Sequence, residues 1–219
     1  RFVDFHIGLI QNYLALKGLE EKSVLVITSD HGEEFGEHGQ KYHAKHLYGE
    51  VLRVPLIISS PALLPTGRSI PTQIRSIDIV PTILELIGIP PLAKHQGESL
   101  LPLLNLLSAP DRPAISQIGE EAYSGEKVEL ISLTTEDYKL IWNKKTDTHE
   151  LYCLKQDPGE EKNVAEEERD KAKELKEELK KLLQASEEEK QFRYKPKPAK
   201  ITLDDDLVKR LRALGYMGG

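Results

Sequence analysis

Four of the seven histidines lie between His31 and His46, and the first of them directly follows an aspartate. The pair Asp30–His31 ends a continuous apolar run, Val24–Ile27, and Gly32 comes next. A buried strand that ends in this way presents polar side chains at its carboxyl edge, and the glycine lets the backbone turn away without a clash. A carboxylate and a neutral imidazole are suitable ligands for a divalent cation. The residues therefore predict a metal site at Asp30 and His31.

The same residues also fit simpler structural roles. Asp30 could cap a following turn, with His31 as a hydrogen-bonded surface histidine. His38 could lie behind the metal ligands, although a solvated loop histidine is the favoured interpretation. His46 is expected to be structural, on a helix. Glu33 and Glu34 could orient His31, or they could face solvent.

Composition excludes several classes of protein. The 219 residues, 39% of them hydrophobic, can bury one substantial core with at most a small appendage. A formal charge of −6 offers no basic excess for nucleic acid or an anionic membrane surface. The single cysteine, Cys153, excludes an internal disulfide and leaves the compartment undecided. No apolar run approaches the roughly 18 residues that a membrane-spanning helix needs.

The first hundred residues alternate between helical and extended patterns. Apolar side chains three or four residues apart predict an amphipathic helix over residues 2–16, which Lys17–Gly18 ends. Further predicted elements are a buried strand over 23–29, an irregular loop over 32–39, a helix over 46–52, strands over 54–58 and 70–76, a turn over 61–67, and a helix over 77–88 that Asp78 caps. Strands that alternate with helices predict an α/β layered sheet.

After Leu101 the pattern changes to antiparallel strands and charged helix. Hairpin strands are predicted over 128–133, 138–142 and 150–154, with a turn at 144–147 joining the last two. One amphipathic helix is predicted within 157–190, and a solvated helix packed on its own domain is favoured over a partner-binding helix. A stiff linker at 195–198 and a terminal helix over 207–214 follow. Together these indicate a small α+β subdomain.

Several ordered blocks resemble sulfatase-like hydrolases of the alkaline phosphatase superfamily. They begin with Thr-Ser-Asp-His-Gly-Glu-Glu-Phe-Gly-Glu-His-Gly at 28–39, and they cover nearly the whole chain. The others are His43, 47–58 with its Arg-Val-Pro element, 77–82, 97–101, 138–141, 150–163 and 211–216. The resemblance implies part of a three-layer α/β/α alkaline-phosphatase-like domain over residues 1–105. A small α+β subdomain with antiparallel strands and a long charged helix would follow over 106–219.

The resemblance also implies the roles of individual residues. Asp30 and His31 would hold one divalent metal ion, for which calcium is favoured and manganese or zinc are alternatives. His43 stands twelve positions after His31, where a histidine of the related phosphoethanolamine transferases contacts the substrate phosphate or a second metal. Lys45 is the nearest candidate for the lysine that sulfatases use on the sulfate oxygens. Arg53 would brace the site through an ion pair rather than take part in the chemistry.

The implied activity is cleavage of a sulfate ester by metal-assisted nucleophilic displacement, with a small-molecule or glycan sulfate or phosphate ester as substrate. The nucleophile, a formylglycine or a serine or threonine, is expected upstream, so this chain alone should not turn over substrate. Cys153 does not match the modification signature and is expected to be a small buried apolar residue. Phosphodiesterase, phosphonate hydrolase or phospho-group transferase chemistry stays open, as does a non-catalytic module that binds through the charged helix. Oligomeric state and compartment are not predicted.

Overall fold

The computed structural model describes residues 1–39, 41–43, 45–90, 96–104, 112–119 and 129–190, with the backbone alone for 188–190. It divides into two compact units, Arg1–Lys180 and Lys181–Gly219. The described helices are α1 (Phe2–Leu16), α2 (Gly49–Leu52), α3 (Ile79–Leu86) and α4 (Arg169–Lys190). The described strands are β1 (Leu25–Thr28), β2 (Leu56–Ser59), β3 (Ala114–Ile118), β4 (Leu130–Thr134), β5 (Tyr138–Asn143) and β6 (Thr148–Cys153).

The helix predicted over residues 2–16 is confirmed as α1. Lys17 follows it, and Gly18 takes the left-handed conformation (φ +63°) that ends a helix without steric cost. The apolar side chains that predicted the helix are exposed: Phe2 by 78%, Leu9 by 48% and Leu16 by 86%. No residue of α1 is buried by the described part of the chain.

The first sheet consists of β1 and β2, which pair antiparallel with Leu25 opposite Ser59 and Thr28 opposite Leu56. Pro55 precedes β2, where its missing N–H does not interrupt the ladder. The prediction of a fully buried β1 was too strong. Its first three residues are half-buried and Thr28 is exposed, since β2 is the single pairing partner of β1 among the described residues.

One predicted element of this part was wrong, and another was too long. Residues 70–76 form no strand. Gln73 contacts the neighbouring segments through its side chain rather than its backbone: its Nε2 donates to the carbonyls of Arg112 and Thr134 at 2.9 and 2.8 Å. The helix expected over 46–52 is α2, which begins at Gly49, so His46 lies in the preceding loop. The helix expected over 77–88 is confirmed as a 3₁₀ turn leading into α3.

The start of α3 is held by Asp78, which is fully buried. Its carboxylate accepts hydrogen bonds from Arg75 Nη2 at 2.9 Å and from the Glu98 amide at 2.9 Å, and Arg112 Nη1 lies 3.4 Å away. Burial alone would raise the pKa of Asp78, but the hydrogen bonds from Arg75 and the Glu98 amide hold that pKa below its ordinary value. Asp78 is therefore an ionised anchor that joins three segments, and because its side chain makes no hydrogen bond to the first amides of α3, the predicted helix cap was wrong.

The second sheet is antiparallel in the order β3-β4-β5-β6 and confirms the predicted α+β character. The turn 144–147 joins β5 to β6, as predicted. Leu133, Leu140 and Leu151, one from each of β4, β5 and β6, are completely buried at its core. The edge strand β3 was missed, because its Ala-Ile-Ser-Gln-Ile segment alternates over only five residues.

Helix α4 begins at Arg169 rather than near Asp157, since residues 157–168 form turns stabilised by side-chain acceptors. The apolar face of α4 is buried, with Ala172 at 1%, Leu175 at 2% and Leu179 at 0% exposure. Lys176 Nζ lies 5.0 Å from the ring centroid of Trp142 on β5, so the helix packs on its own sheet as expected. The described helices include none with the length and hydrophobicity that crossing a membrane would take.

Some predictions lie outside the described residues. These are the linker at 195–198, the terminal helix over 207–214 and the first residues of the strand predicted from 128. The boundary near residue 105 also falls at a segment that is not described, and it stays a prediction. The α/β class with a small carboxyl-terminal subdomain is confirmed.

Candidate metal and substrate site

Asp30 and His31 lie just beyond β1, where the chain leaves the sheet, and their side chains point to the same place. Asp30 Oδ2 is 3.7 Å from His31 Nε2, and the two side chains are 70% and 40% exposed. Ser29 Oγ donates to the His31 carbonyl at 2.8 Å and supports the turn between them. Adjacent residues on a regular strand would point to opposite faces, so this convergence depends on the strand ending at Thr28.

Gly32 makes the turn after His31 sterically feasible. Its amide donates to the Val51 carbonyl at 2.7 Å, which ties the strand end to α2. A Cβ at this position would lie 2.0 Å from the carbonyl oxygen of Glu50. The glycine that follows the Asp-His pair is therefore required by close backbone contact rather than by an unusual φ.

The orientation of His31 fits a metal ligand. Its Nδ1 lies 2.8 Å from the Gly32 carbonyl, which can only accept, so the proton of the neutral ring sits on Nδ1. The lone pair of Nε2 then faces Asp30. Hydrogen bonds from backbone amides, chiefly its own and that of His31, lower the pKa of Asp30, so its carboxylate is charged at neutral pH.

The Asp30 carboxylate and the Nε2 lone pair of His31 are placed so that both can bind one cation. Two ligands that share one cation at about 2.0 to 2.5 Å each lie roughly 3 to 4 Å apart, which the 3.7 Å separation matches. The residues present thus fit a divalent ion. Oxygen and imidazole nitrogen together suit calcium, manganese and zinc to different degrees, so they do not select one.

His43 also reaches this place. Its ring centroid lies 4.0 Å from that of His31, with 30° between the ring planes. His43 Nδ1 is 3.3 Å from Glu33 Oε2, so Glu33 contacts His43, whereas the sequence left open whether Glu33 orients His31 or faces solvent. The preceding residue, Tyr42, has a left-handed backbone (φ +78°), a conformation that costs free energy and is often found at functional sites.

Lys45 is not brought into this group. Its side chain is exposed, and within the described residues no hydrogen bond or ion pair joins it to Asp30, His31 or His43. Its assignment to the sulfate oxygens stays a prediction. Arg53 is exposed beside a cavity of about 250 Å³ that Glu50 and Glu160 also line, and its predicted ion pair likewise stays a prediction.

His38 is not the solvated loop histidine that the sequence favoured. Its side chain is 14% exposed and stacks on Tyr48, with 3.8 Å between centroids and 14° between planes. His38 Nδ1 lies 2.5 Å from Glu50 Oε1, and Nε2 lies 3.0 Å from the Glu160 carbonyl. Sequence reasoning missed this arrangement because it joins residues 122 positions apart.

Glu34, His38 and Glu50 form a second carboxylate–imidazole cluster whose ligand atoms all lie within 4.8 Å of one another. A metal ion between His38 and Glu50 would hold their ligand atoms about 3 Å apart or more, whereas they are 2.5 Å apart. That distance fits a shared proton. The 3.7 Å between Asp30 Oδ2 and His31 Nε2 is instead a distance that two ligands of one ion can have.

Comparison with known proteins identifies the family. Residues 36–189 match the family model described as N-sulphoglucosamine sulphohydrolase, C-terminal. The N-acetylglucosamine-6-O-sulfatase of Bacteroides thetaiotaomicron is 33% identical over 167 residues, which cover 74% of this chain and 30% of that protein. The chain belongs to the sulfatase family. Arylsulfatase K of Xenopus laevis is 31% identical over 185 residues, with 81% of this chain and 34% of that protein covered.

Solved structures agree with this sulfatase assignment. BT4656, solved in complex with its substrate D-glucosamine-2-N,6-O-disulfate, superposes with a TM-score of 0.72 at 30% identity, over 86% of this chain and 39% of that one. The phosphonate monoester hydrolase of Agrobacterium radiobacter gives a TM-score of 0.68 at 25% identity, over 85% of this chain and 39% of that one.

The sulfatase-family chain spans about a third of the length of these curated relatives, with 30% to 34% of each covered. It corresponds to the carboxyl-terminal part of a sulfatase-like hydrolase of the alkaline phosphatase superfamily. Membership implies a divalent metal ion. Cys153 is a free thiol and half-buried rather than buried, and nothing in its surroundings assigns it a role in the site.

Proposed function

We propose that the protein to which this chain belongs hydrolyses a sulfate ester, with Asp30 and His31 as metal ligands and His43 beside the reacting group. The observation that carries this proposal is the convergence of the Asp30 carboxylate and the His31 lone pair, 3.7 Å apart at an open strand end. His43 stacks on His31 at the same place. Sulfatase membership supplies the reaction class.

A divalent ion held here would polarise an ester oxygen and offset the negative charge of the sulfuryl group. Asp30 contributes a fixed negative charge that its hydrogen bonds with backbone amides preserve. The Nδ1–H of His31, bonded to the Gly32 carbonyl, keeps that ring from rotating. These contacts prepare the ligand geometry before substrate arrives.

The role proposed for His43 is to steady or protonate the departing oxygen. When the S–O bond to the leaving group breaks, its electron pair stays on that oxygen, which then takes a proton. His43 Nδ1 points to Glu33, so Nε2 is the ring nitrogen that faces away from this carboxylate and can meet the ester. General acid catalysis of this kind contributes roughly 10²- to 10⁴-fold.

The substrate class proposed is a sulfated amino sugar or glycan. Two comparisons support it: a relative named N-acetylglucosamine-6-O-sulfatase, and BT4656 with its disulfated glucosamine. A phosphonate or phosphate ester is the second candidate, because the phosphonate monoester hydrolase superposes nearly as well. The nucleophile, expected upstream as formylglycine, serine or threonine, remains part of the proposal.

The test uses the full-length protein. Hydrolysis of N-acetylglucosamine-6-sulfate is compared with that of the 6-phosphate and of a phenyl phosphonate monoester, and the sulfate is expected to be cleaved with the highest kcat/KM. His43→Asn should lose about 10²-fold or more in kcat. The matched control is His6→Asn on the exposed helix α1, which should retain wild-type activity. Full activity of His43→Asn would reject the role of His43, and preference for a phosphorus ester would reject the sulfatase assignment of activity.

A further inference from the structure

We infer that His38 is a positioning residue, a doubly protonated imidazole that clamps the tip of the His43-bearing loop to α2 and to the carboxyl-terminal subdomain. The loop runs from Gly32 to His43. Its neck is closed by two backbone hydrogen bonds between Glu34 and Tyr42, of 3.1 and 3.0 Å. His38 lies at the other end, and His43 follows the neck directly.

Both partners of His38 belong to firmly packed structure. Glu50 lies on α2, and Leu52 of this helix packs with the preceding Leu47 and Tyr48 against Ile141 and Tyr152 of the second sheet. Glu160 is 3% exposed, and its carboxylate takes two hydrogen bonds from the buried Lys139 Nζ, at 2.8 and 3.1 Å. Its backbone is left-handed (φ +58°), a conformation that persists only where the surrounding structure holds it.

Two protons are needed to make both contacts of the ring. The Glu160 carbonyl only accepts, so Nε2 must carry a hydrogen. Nδ1 lies 2.5 Å from a carboxylate oxygen, which is a contact that requires a hydrogen between the two atoms. An imidazolium at His38 beside an ionised Glu50 makes both bonds, and when that second proton is lost a neutral ring beside an ionised Glu50 keeps only one of them.

The charges around the ring agree with this state. Glu50, the Glu160 carboxylate and Glu37 on the loop face His38 with negative charge, and the buried Glu34 belongs to the same cluster. Lys139 is paired with Glu160, and the phenol of Tyr48, whose pKa burial beside Glu150 raises to about 12, stays neutral. Burial by itself would lower the pKa of His38, but the bonds to the Glu160 carbonyl and Glu50 raise it above its ordinary value.

A raised folded-state pKa fixes the direction of the pH effect. The contribution of the clamp is fully present below the unfolded pKa near 6.5 and is lost as pH rises through the higher folded-state pKa. The loop that carries His43 should then loosen as pH rises through that folded-state pKa. As far as this loosening affects catalysis, the inference rests on the proposed function.

Glu50→Gln separates a proton clamp from simple packing. The glutamine amide can donate to a neutral Nδ1 while Nε2–H still donates to the Glu160 carbonyl, so both bonds survive without the second proton. His38→Asn removes the clamp at every pH, because one short carboxamide cannot span both acceptors. His6→Asn is the matched control, since His6 Nδ1 also lies near a backbone carbonyl, that of Phe2 at 2.8 Å, on an exposed helix.

The experiment is hydrogen–deuterium exchange of the Glu34 and Tyr42 amides in the full-length protein from pH 6 to 9, normalised for intrinsic exchange. Wild-type protection is expected to fall roughly 10- to 100-fold across this range, which is what loss of one charged hydrogen bond amounts to. Glu50→Gln should show a flat profile, His38→Asn low protection throughout, and His6→Asn the wild-type profile.

Two results would overturn the clamp: a Glu50→Gln profile that falls with pH as the wild type does, or His38→Asn protection within twofold of wild type at pH 6. Hydrolysis of the sulfate ester is then measured with the same variants, and kcat should follow loop protection. Because exchange is measured without substrate, a wild type that cleaves no sulfate ester contradicts the proposed function while the exchange data still decide the clamp.

Discussion

Gly32→Ala should lower both metal binding and activity, because the single added Cβ atom clashes with the backbone of α2. The added Cβ would lie 2.0 Å from the Glu50 carbonyl oxygen, whereas real contacts of this kind stay at 3.0 Å or beyond, so either Gly32 or Glu50 must move by about 1 Å. The atoms nearest to this Cβ, in Glu50 and Val51, belong to the backbone, so no side-chain rotation relieves the clash. The hydrogen bond from the Gly32 amide to the Val51 carbonyl, now 2.7 Å, would be stretched or broken.

A shift of about 1 Å at His31 should lower kcat by about 100-fold, because ligand geometry there depends on the same turn. The cost in stability should be about 1 to 3 kcal/mol, as for other forced insertions into packed structure. The assay is kcat and bound metal in the full-length variant, together with its free energy of unfolding in urea. Gly8→Ala is the matched control, because a Cβ at Gly8 on α1 meets nothing within 4 Å.

The reasoning would be refuted if Gly32→Ala kept its metal and retained kcat within twofold of wild type. The control also has a defined expectation: Gly8→Ala in the helix should leave activity unchanged and raise stability by about 0.5 to 1 kcal/mol.

Three further predictions concern stability, each read from urea unfolding. Lys139→Met should lower the free energy of unfolding by about 3 to 5 kcal/mol, because it leaves the Glu160 carboxylate buried and unpaired. The double variant Lys139→Met/Glu160→Gln should lose less stability than the sum of the two single changes, and additive losses would count against the ion pair. Asp78→Asn should remove the part of the acid sensitivity of folding that arises from the lowered pKa of Asp78. In the wild type the stabilisation from this carboxylate is fully present above about pH 4 and is lost as pH drops through the folded-state pKa. A variant whose free energy of unfolding falls at acid pH as the wild type's does would contradict this. Leu179→Ala, at a fully buried position of α4, should cost about 2 to 5 kcal/mol, whereas the same change at Leu63, which is 53% exposed, should cost under about 1 kcal/mol, and equal losses would argue against the packing of α4.

The sequence predicted that the Asp30 and His31 side chains converge, because the information for this is local. Asp30, His31 and Gly32 are consecutive, so a strand that ends at a glycine is enough to bring the two side chains together, while their role as metal ligands stays a prediction. His43 was found by counting positions in a related motif, and its contact with His31 supports that placement. The role of His38 could not be found in this way, because its partner Glu160 is remote in sequence and becomes a neighbour only after the second sheet forms.

The fold was predicted best where an apolar pattern repeats over many residues. Fifteen residues with a regular apolar stripe gave α1, and the hairpin strands β4 to β6 followed from alternation and a turn. Short segments failed, because the contacts that decide them are tertiary. Residues 70–76 look extended, yet the Gln73 side chain bonds two distant carbonyls and no strand pairing forms there.

The exposed apolar side chains of α1 show a further limit of predicting structure from sequence patterns. Periodicity predicts that a helix has an apolar face, but it does not show which part of the protein covers that face. Phe2, Leu9 and Leu16 remain exposed among the described residues. The chain spans about a third of its curated relatives, so the cover of this face is a matter for the full-length protein.

The content of tightly bound divalent metal in the full-length protein tests the central claim most directly. Wild type should retain about one ion per chain after dialysis against a weak chelator, and Asp30→Ala and His31→Ala should each bind it at least tenfold more weakly. Asp4→Ala on the exposed helix α1 is the control and should match wild type. Wild-type metal stoichiometry and affinity in both Asp30→Ala and His31→Ala would contradict the assignment of this strand end as the metal site.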